Sequence, residues 1–418
     1  MKKIENEFNE AVYHYQTRSQ LKVQYLHRPG FKKSAAILAV PFGALNIKQV
    51  YNGREIQHPL GVAHFLEHKV FEDEKEDILS QFSKLGGSAN AFTSYQETMY
   101  YFTHETELFA PLNLLLQFVR RFDIDAQSVE KEKPIIVEEI KMYEQMPEMR
   151  LLAETYRNTF HDFPYIYDIA GTEDSVNATT LEDLQTAYRL NYADEQMVLV
   201  LVSNQDPQTV FDFIEEKTKE RKATNFSLEN VYPNEDKSVV HSFREQKDRT
   251  KSTKMSLTYK FHYPQHNHLL DEMLLRIALE MNFSDINEDY QKALDAQIIS
   301  DYFAYDVDLK EDFGVIYFFN ESEKSEAFKC FIDDKMNDLH LDESLFKQIK
   351  RKTYGDMIFS LSNPERLAIN MARFALLEED YFTYMEHVKK FEFSQVEAVL
   401  AYLEDKECSF FVLSPQQD

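Results

Sequence analysis

The spacing of apolar and polar residues predicts strands and helices in close succession along the first half of the chain. Residues 21–26 and 34–40 read as strands. Around residues 61–70 the period changes to that of a helix. Gly61-Val62-Ala63 follows Pro59, and Phe65, Leu66 and Val70 supply apolar residues for packing. Residues 78–85 continue an amphipathic helical pattern, ended by Gly86-Gly87. After 91–93 comes an aromatic strand at 98–103, then an amphipathic helix at 108–121. A carboxylate-rich helical pattern covers 129–144, a long helix runs through Thr159, and a strand occupies 197–202.

A polar, charge-mixed stretch from about 217 to 254, with Pro233-Asn234-Glu235-Asp236 inside it, reads as a linker. Beyond it the order repeats coarsely. A strand at 255–261 and a helix at 269–282 precede aromatic strands near 302–307 and 315–320. Helices at 325–338, 343–361, 364–377 and 394–403 and a strand at 410–413 close the chain. The pattern predicts two α+β domains, residues 1–225 and 226–418, and their similar order suggests an internal duplication.

Composition agrees with a large folded chain. The 418 residues suffice for two domains or more. Hydrophobic residues make up 43%, with 33 Phe and 24 Tyr, which is ample core material and excludes a disordered or fibrous chain. A net charge of −26 argues against nucleic acid or an anionic membrane as partner. It suits a solvated surface and basic peptides. Cys330 and Cys408 lack CxxC spacing, so they form no disulfide framework and point to a reducing compartment. Residues 1–7 carry charge without an apolar stretch, and no segment approaches the length of a membrane span. These features predict a cytoplasmic location.

The chemistry concentrates in His64-Phe65-Leu66-Glu67-His68. On a helix, positions i and i+4 share a face, so both imidazoles can grip one metal ion from the same side. Glu67, three residues after His64, projects from that side as well. Two neutral nitrogen ligands and a carboxylate near a metal-bound water are what a zinc hydrolase requires. The pattern H-x-x-E-H inverts the H-E-x-x-H zinc protease signature. Two histidines are one ligand short of the usual three. The helical stretch 129–144 offers Glu132, Glu138, Glu139 and Glu144. Glu132 and Glu139, two turns apart, can share a face, but spacing alone does not choose among the four. A second group, His262, His266 and His268, is interrupted by Pro264 and reads as a loop.

The motif, the later glutamate pair and the stretch Gly86-Gly87-Ser88-Ala89-Asn90-Ala91-Phe92-Thr93-Ser94 resemble the pitrilysin-type (M16) zinc peptidases. Phe163-Pro164-Tyr165, Ala170-Gly171-Thr172-Glu173-Asp174-Ser175, Leu181-Glu182-Asp183-Leu184 and Asn191-Tyr192 extend the resemblance. It is specific over residues 39–202 and architectural beyond them. The chain resembles small, processing-peptidase-like catalytic subunits of Gram-positive bacteria, which often come as two paired chains. The resemblance implies two related α/β sandwich domains with mostly antiparallel sheets, facing each other as a clamshell. It implies one Zn2+ per chain, held by His64, His68 and Glu139, with Glu67 as catalytic base and Glu132 as a supporting carboxylate. Pro134 makes the placement of Glu132 within a helix a departure. The resemblance also implies that peptide adds to an edge strand at Ser88, Ala89, Asn90, Ala91 and Phe92, with Asn90 orienting the scissile bond.

The second half departs from the family. Members that work alone supply an Arg and a Tyr from a second-domain motif, whereas residues 289–302 here contain no Arg. Tyr302 and Tyr305 lack that partner. The expectation is a zinc endopeptidase acting with a homologous subunit that lacks the zinc motif, or alternatively with a copy of itself. The competing expectation is a non-catalytic scaffold or partner subunit, which would not require the intact motif.

Overall fold

A computed structural model describes residues 2–72, 77–264 and 267–416. The chain is α+β, with two large, mostly antiparallel sheets lying in two compact units. Among the described residues, no helix is long and apolar enough to cross a membrane.

Unit one comprises Met1–Ile140, Tyr167–Tyr232 and Met357–Tyr384. Its strands are β1 (Lys2–Ile4), β2 (Ala11–Gln16), β3 (Lys22–His27), β4 (Ser34–Val40), β5 (Lys48–Tyr51), β6 (Arg54–Gln57), β7 (Gly87–Thr93), β8 (Thr98–His104), β9 (Val198–Ser203) and β10 (Leu228–Asn230). Seven of them form one sheet, β1-β2-β3-β9-β4-β8-β7, in which only β3 and β9 run parallel. Every residue of β4 is buried, as in a strand covered on both faces. Ala36, Leu38 and Val40 join a core with Phe65, Leu66, Leu112 and Leu115. Ala35, Ile37 and Ala39 point the other way. That second face is covered by the helix Pro364–Leu376, which packs on β4 and β9.

Unit two comprises Lys141–Ile166, Pro233–Asp356 and Met385–Asp418. Its sheet contains β11 (Phe243–Asp248), β12 (Lys254–Tyr263), β13 (Ala304–Leu309), β14 (Asp312–Glu321) and β15 (Glu407–Pro415), ordered β11-β15-β12-β14-β13. Here β11 and β15 are the parallel pair. The wiring repeats that of β3-β9-β4-β8-β7. In each five-strand set the first strand lies parallel to the last, the last neighbours the second, and the third lies at the edge beside the fourth. The similar element order in the sequence thus corresponds to the same strand topology.

Neither unit is one uninterrupted run of chain, whereas the sequence predicts a single division at 225/226. The first five helices are α1 (Val62–Val70), α2 (Ile78–Lys84), α3 (Phe109–Val119), α4 (Ala126–Glu144) and α5 (Pro147–Thr159). α5 comes from the first half yet packs on β12 and β15 of unit two. Thr155 and Thr159 hydroxyls meet those of Ser256 and Thr258 at 2.6 and 2.9 Å. The helix Pro364–Leu376, from the second half, serves the unit-one sheet in the reciprocal way. The polar stretch read as a linker also contributes strands, because β10 pairs with β5 and β11 with β15. β10 has only three residues and four of the six in β11 are charged, so neither shows a strand's apolar period.

The start of α1 is fixed by two glycines meeting backbone to backbone. Gly61 precedes the helix at φ +80°, and a Cβ there would lie 2.1 Å from the Ala170 carbonyl oxygen. Gly171, at φ +84°, would place a Cβ 2.6 Å from the Leu60 carbonyl oxygen. Side chains at either position would meet both a left-handed backbone and a clash. Thr172 and Ser175 then form a capping box on the helix Glu173–Ala178, which holds the second glycine's loop in place.

Candidate metal centre

α1 commits one side to packing and leaves the other for chemistry. Val62, Ala63, Phe65, Leu66 and Val70 are buried in the unit-one core. His64, Glu67 and His68 remain on the partly open face. The two imidazole centroids lie 4.6 Å apart. α4 is anchored by Val129, Ile136, Val137 and Ile140, and it continues through Pro134. The proline leaves one carbonyl of the preceding turn without its helical donor, but Glu132 stays on the helix.

Of the four glutamates that spacing left open, Glu139 meets both histidines. Its Oε1 lies 3.8 Å from His64 Nε2, and its Oε2 lies 3.3 Å from His68 Nε2. Glu132 meets His68 from the other side of the ring, where Nδ1–H donates to Oε1 at 3.0 Å. Glu138 and Glu144 are exposed. One atom each from His64, His68 and Glu139 lies within 4.8 Å of the others, the sole such group among the described residues. Two imidazole nitrogens and one carboxylate, with an outer carboxylate orienting one ring, fit zinc.

The charge states follow from the surroundings. Burial and the neighbouring His68 hold His64 down to about 4, so its ring is neutral near pH 7 and keeps a lone pair for a cation. Among the described residues its Nδ1 is buried without a hydrogen-bond partner. Burial also disfavours the charged form of His68, but hydrogen bonds to Glu132 and Glu139 outweigh it and lift the group to about 9. Burial pushes the Glu67 carboxyl up, and the hydrogen bond from Thr93 partly opposes this. Thr93 Oγ1–H donates to Glu67 Oε2 at 2.7 Å, so Glu67 is tied to β7 and lies outside the three-atom cluster.

Among the described residues, β7 is the free edge of its sheet and pairs only with β8. Ser88 and Asn90 are exposed, while Ala89 and Ala91 pack against the core. Asn90 Oδ1 accepts the Ala91 backbone N–H at 2.9 Å. On Phe92, the Arg373 guanidinium lies 5.9 Å from the ring centroid.

Two residues beside the cluster carried no sequence signal of their own role. Thr93 reads as an ordinary strand residue. Lys69 follows the motif directly and is buried, against the habit of lysine. In unit two, His262 lies one residue before the end of β12 with Nδ1–H donating to the Asp312 carbonyl at 2.9 Å, and His268 begins a helix. His266 lies outside the described residues. Tyr302 is exposed, and Tyr305 lies on β13. Arg276 reaches β13 from the helix His268–Phe283, but Glu272, Asp306 and the Val307 carbonyl engage it.

Comparison with known proteins agrees with this geometry. The family model described as insulinase (peptidase family M16) matches residues 22–173, and that of the peptidase M16 inactive domain matches 178–353. The chain is 28% identical over 410 residues to the uncharacterised zinc protease YmfH of Bacillus subtilis, covering 96% of each chain. It is 28% identical over 155 residues to the mitochondrial-processing peptidase subunit beta of Blastocladiella emersonii, covering 35% of this chain and 32% of that one. An M16-like peptidase from Alicyclobacillus acidocaldarius superposes with a TM-score of 0.92 at 25% identity, over 99% of this chain and 100% of that one. A Helicobacter pylori protease shares the fold, with a TM-score of 0.82 at 18% identity, over 97% and 100% of the two chains. With the two family models together spanning most of its length, and a cluster that could hold a metal lying within the first, this chain belongs to peptidase family M16 and is a zinc metallopeptidase.

Proposed function

We propose that this chain is the catalytic subunit of a two-chain cytoplasmic endopeptidase that cleaves short or unfolded peptides. The observation that carries this reading is the convergence of His64, His68 and Glu139 within 4.8 Å, beside a Glu67 that stays out of the cluster. In this reading residues 1–225 carry one zinc ion on those three side chains, and residues 226–418 form the related half without metal. Zinc, when bound, supplies a Lewis acid that polarises a carbonyl and acidifies water. Glu67 takes the proton of the attacking water at Oε1, the oxygen that Thr93 Oγ1 does not hold, and returns it to the leaving amine. Glu132 keeps the His68 ring in one tautomer by accepting from Nδ1.

Substrate adds as a strand to the open edge of β7, where backbone hydrogen bonds give affinity without demanding one sequence. Ser88, Ala89, Asn90, Ala91 and Phe92 receive it, and Asn90 orients the scissile peptide. Thr93, at the end of that strand, sets the base against the bound backbone.

The partner reading is supported by the second half. Residues 289–302 contain no Arg. Arg276, which reaches β13, is already matched by Glu272 and Asp306. A homologous subunit without the zinc motif supplies the missing Arg/Tyr pair, and a second copy of this chain is the alternative source. The purified, zinc-loaded chain alone is expected to hydrolyse peptides about 10²–10³-fold more slowly than its mixture with that subunit, the loss typical of one transition-state hydrogen-bond donor. Equal rates with and without the partner would remove the two-chain reading.

A further inference from the structure

We propose that Lys69 is a positioning residue for the metal, holding Glu132 in the orientation that fixes the His68 ring. The inference rests on the reading of His68 as a ligand. Lys69 is on the packed side of α1, and its side chain is only 1% exposed, so the ammonium does not reach open water. An apolar residue would fill that place without the cost of burying a charge. A lysine there calls for a specific partner, and two carboxylates supply it.

The geometry divides the oxygens of Glu132 between two tasks. Oε1 accepts from His68 Nδ1–H at 3.0 Å, and Oε2 faces Lys69 Nζ at 3.4 Å. The Glu132 side chain is 12% exposed, so little water is at hand to replace a lost partner. On its other side Lys69 pairs with Glu72, whose Oε2 accepts from Ser128 of α4 at 3.4 Å. A carboxylate held at both oxygens cannot rotate about its last bond. The ring it orients then presents Nε2 toward Glu139, 3.3 Å away. The line of support runs from Lys69 through Glu132 to His68.

Charge balance favours the same arrangement. Glu72, Glu132 and Glu139 contact the two histidines or Lys69, and Glu67 lies near enough to His68 to feel its charge. A divalent cation alone leaves such a group strongly negative, and Lys69 offsets part of the excess on the side away from the metal.

The test measures Zn2+ affinity by competition with a chromophoric chelator, which reads the site without turnover. Lys69→Met is expected to weaken Zn2+ binding by about 10–100-fold, the range for losing an outer support of a ligand. Glu132→Gln is expected to weaken it similarly. The double variant is expected to be no weaker than Glu132→Gln by more than about twofold, because Lys69 acts through Glu132. Lys69→Arg keeps the cation and is expected to recover binding to within about fivefold of the original. It also keeps the test open if the methionine variant does not fold. Unchanged affinity in Lys69→Met, losses that multiply in the double variant, or an arginine variant as weak as the methionine one would each overturn the proposal. His68→Ala is measured alongside. If it binds Zn2+ normally, the ligand reading has failed and the Lys69 proposal falls with it, whereas a loss in His68→Ala with none in Lys69→Met overturns the proposal alone.

Discussion

Glu67→Gln is expected to retain zinc and to lose peptide hydrolysis by about 10²–10⁴-fold, the usual contribution of a positioned general base. The substitution preserves shape. The Thr93 hydroxyl, 2.7 Å from Glu67 Oε2, can donate to the amide oxygen instead. His64, His68 and Glu139 are untouched, so the metal has no reason to leave. What disappears is a carboxylate that burial has pushed above its ordinary range, closer to the pH at which it must accept a proton. The loss should therefore fall on kcat rather than KM. Metal analysis and steady-state kinetics on one preparation check both halves. Full activity with zinc intact would remove Glu67 as the base, and loss of zinc would make it a ligand. Peptides trapped by this variant and read by mass spectrometry would also identify the substrate.

Lys260→Ala is expected to cost about 3–5 kcal/mol of stability, because it strands a buried carboxylate. The side chains of Lys260 and Glu235 are 0% and 2% exposed, and they meet at 2.6 Å. Lys260 also donates to the carbonyls of Thr159 and Ser238 at 3.2 and 3.0 Å. Glu235 accepts the backbone N–H groups of His161, Asp162 and Phe163. The pair thus joins β12 to the segment after α5 and to the stretch that enters unit two. Burial raises the Glu235 carboxyl, but Lys260 and the backbone donors outweigh it and hold the group below its ordinary value. A depressed carboxyl contributes stability above its unfolded pKa of about 4.3 and loses it as the pH falls through the folded value. Lys260→Met with Glu235→Gln should recover much of the loss, since the amide still accepts from the backbone and no charge remains. Urea unfolding of the three proteins decides the matter. A cost below about 1 kcal/mol for Lys260→Ala would mean that water or another cation reaches Glu235.

What could be read from the sequence was local. The i, i+4 histidines, the two-turn spacing of Glu132 and Glu139 and the central strands of both sheets follow from periods of 3.6 and 2, and each lies within one element. The paired domain architecture was legible because element order repeats. Roles that depend on which element faces which were not. Spacing put Glu132 and Glu139 on one face, but only the packing of α1 against α4 sends one to the front of His68 and the other behind it. Nothing in the spacing marks Lys69 as buried. Pro134 argued against a helix that tertiary packing sustains. The exchange of α5 and the helix Pro364–Leu376 between units leaves no trace in periodicity, since an amphipathic helix does not declare which sheet it covers. β10 and β11 were lost in a charged stretch because edge strands need few apolar residues.

The central claim is that His64, His68 and Glu139 together hold the zinc of this peptidase. Zinc content per chain after dialysis, compared between Glu139→Ala and Glu138→Ala, tests it most directly. The account predicts that Glu138→Ala keeps about one zinc per chain and Glu139→Ala loses nearly all of it, as removal of one of three protein ligands should. Zinc retained in Glu139→Ala, or lost in Glu138→Ala, would contradict it.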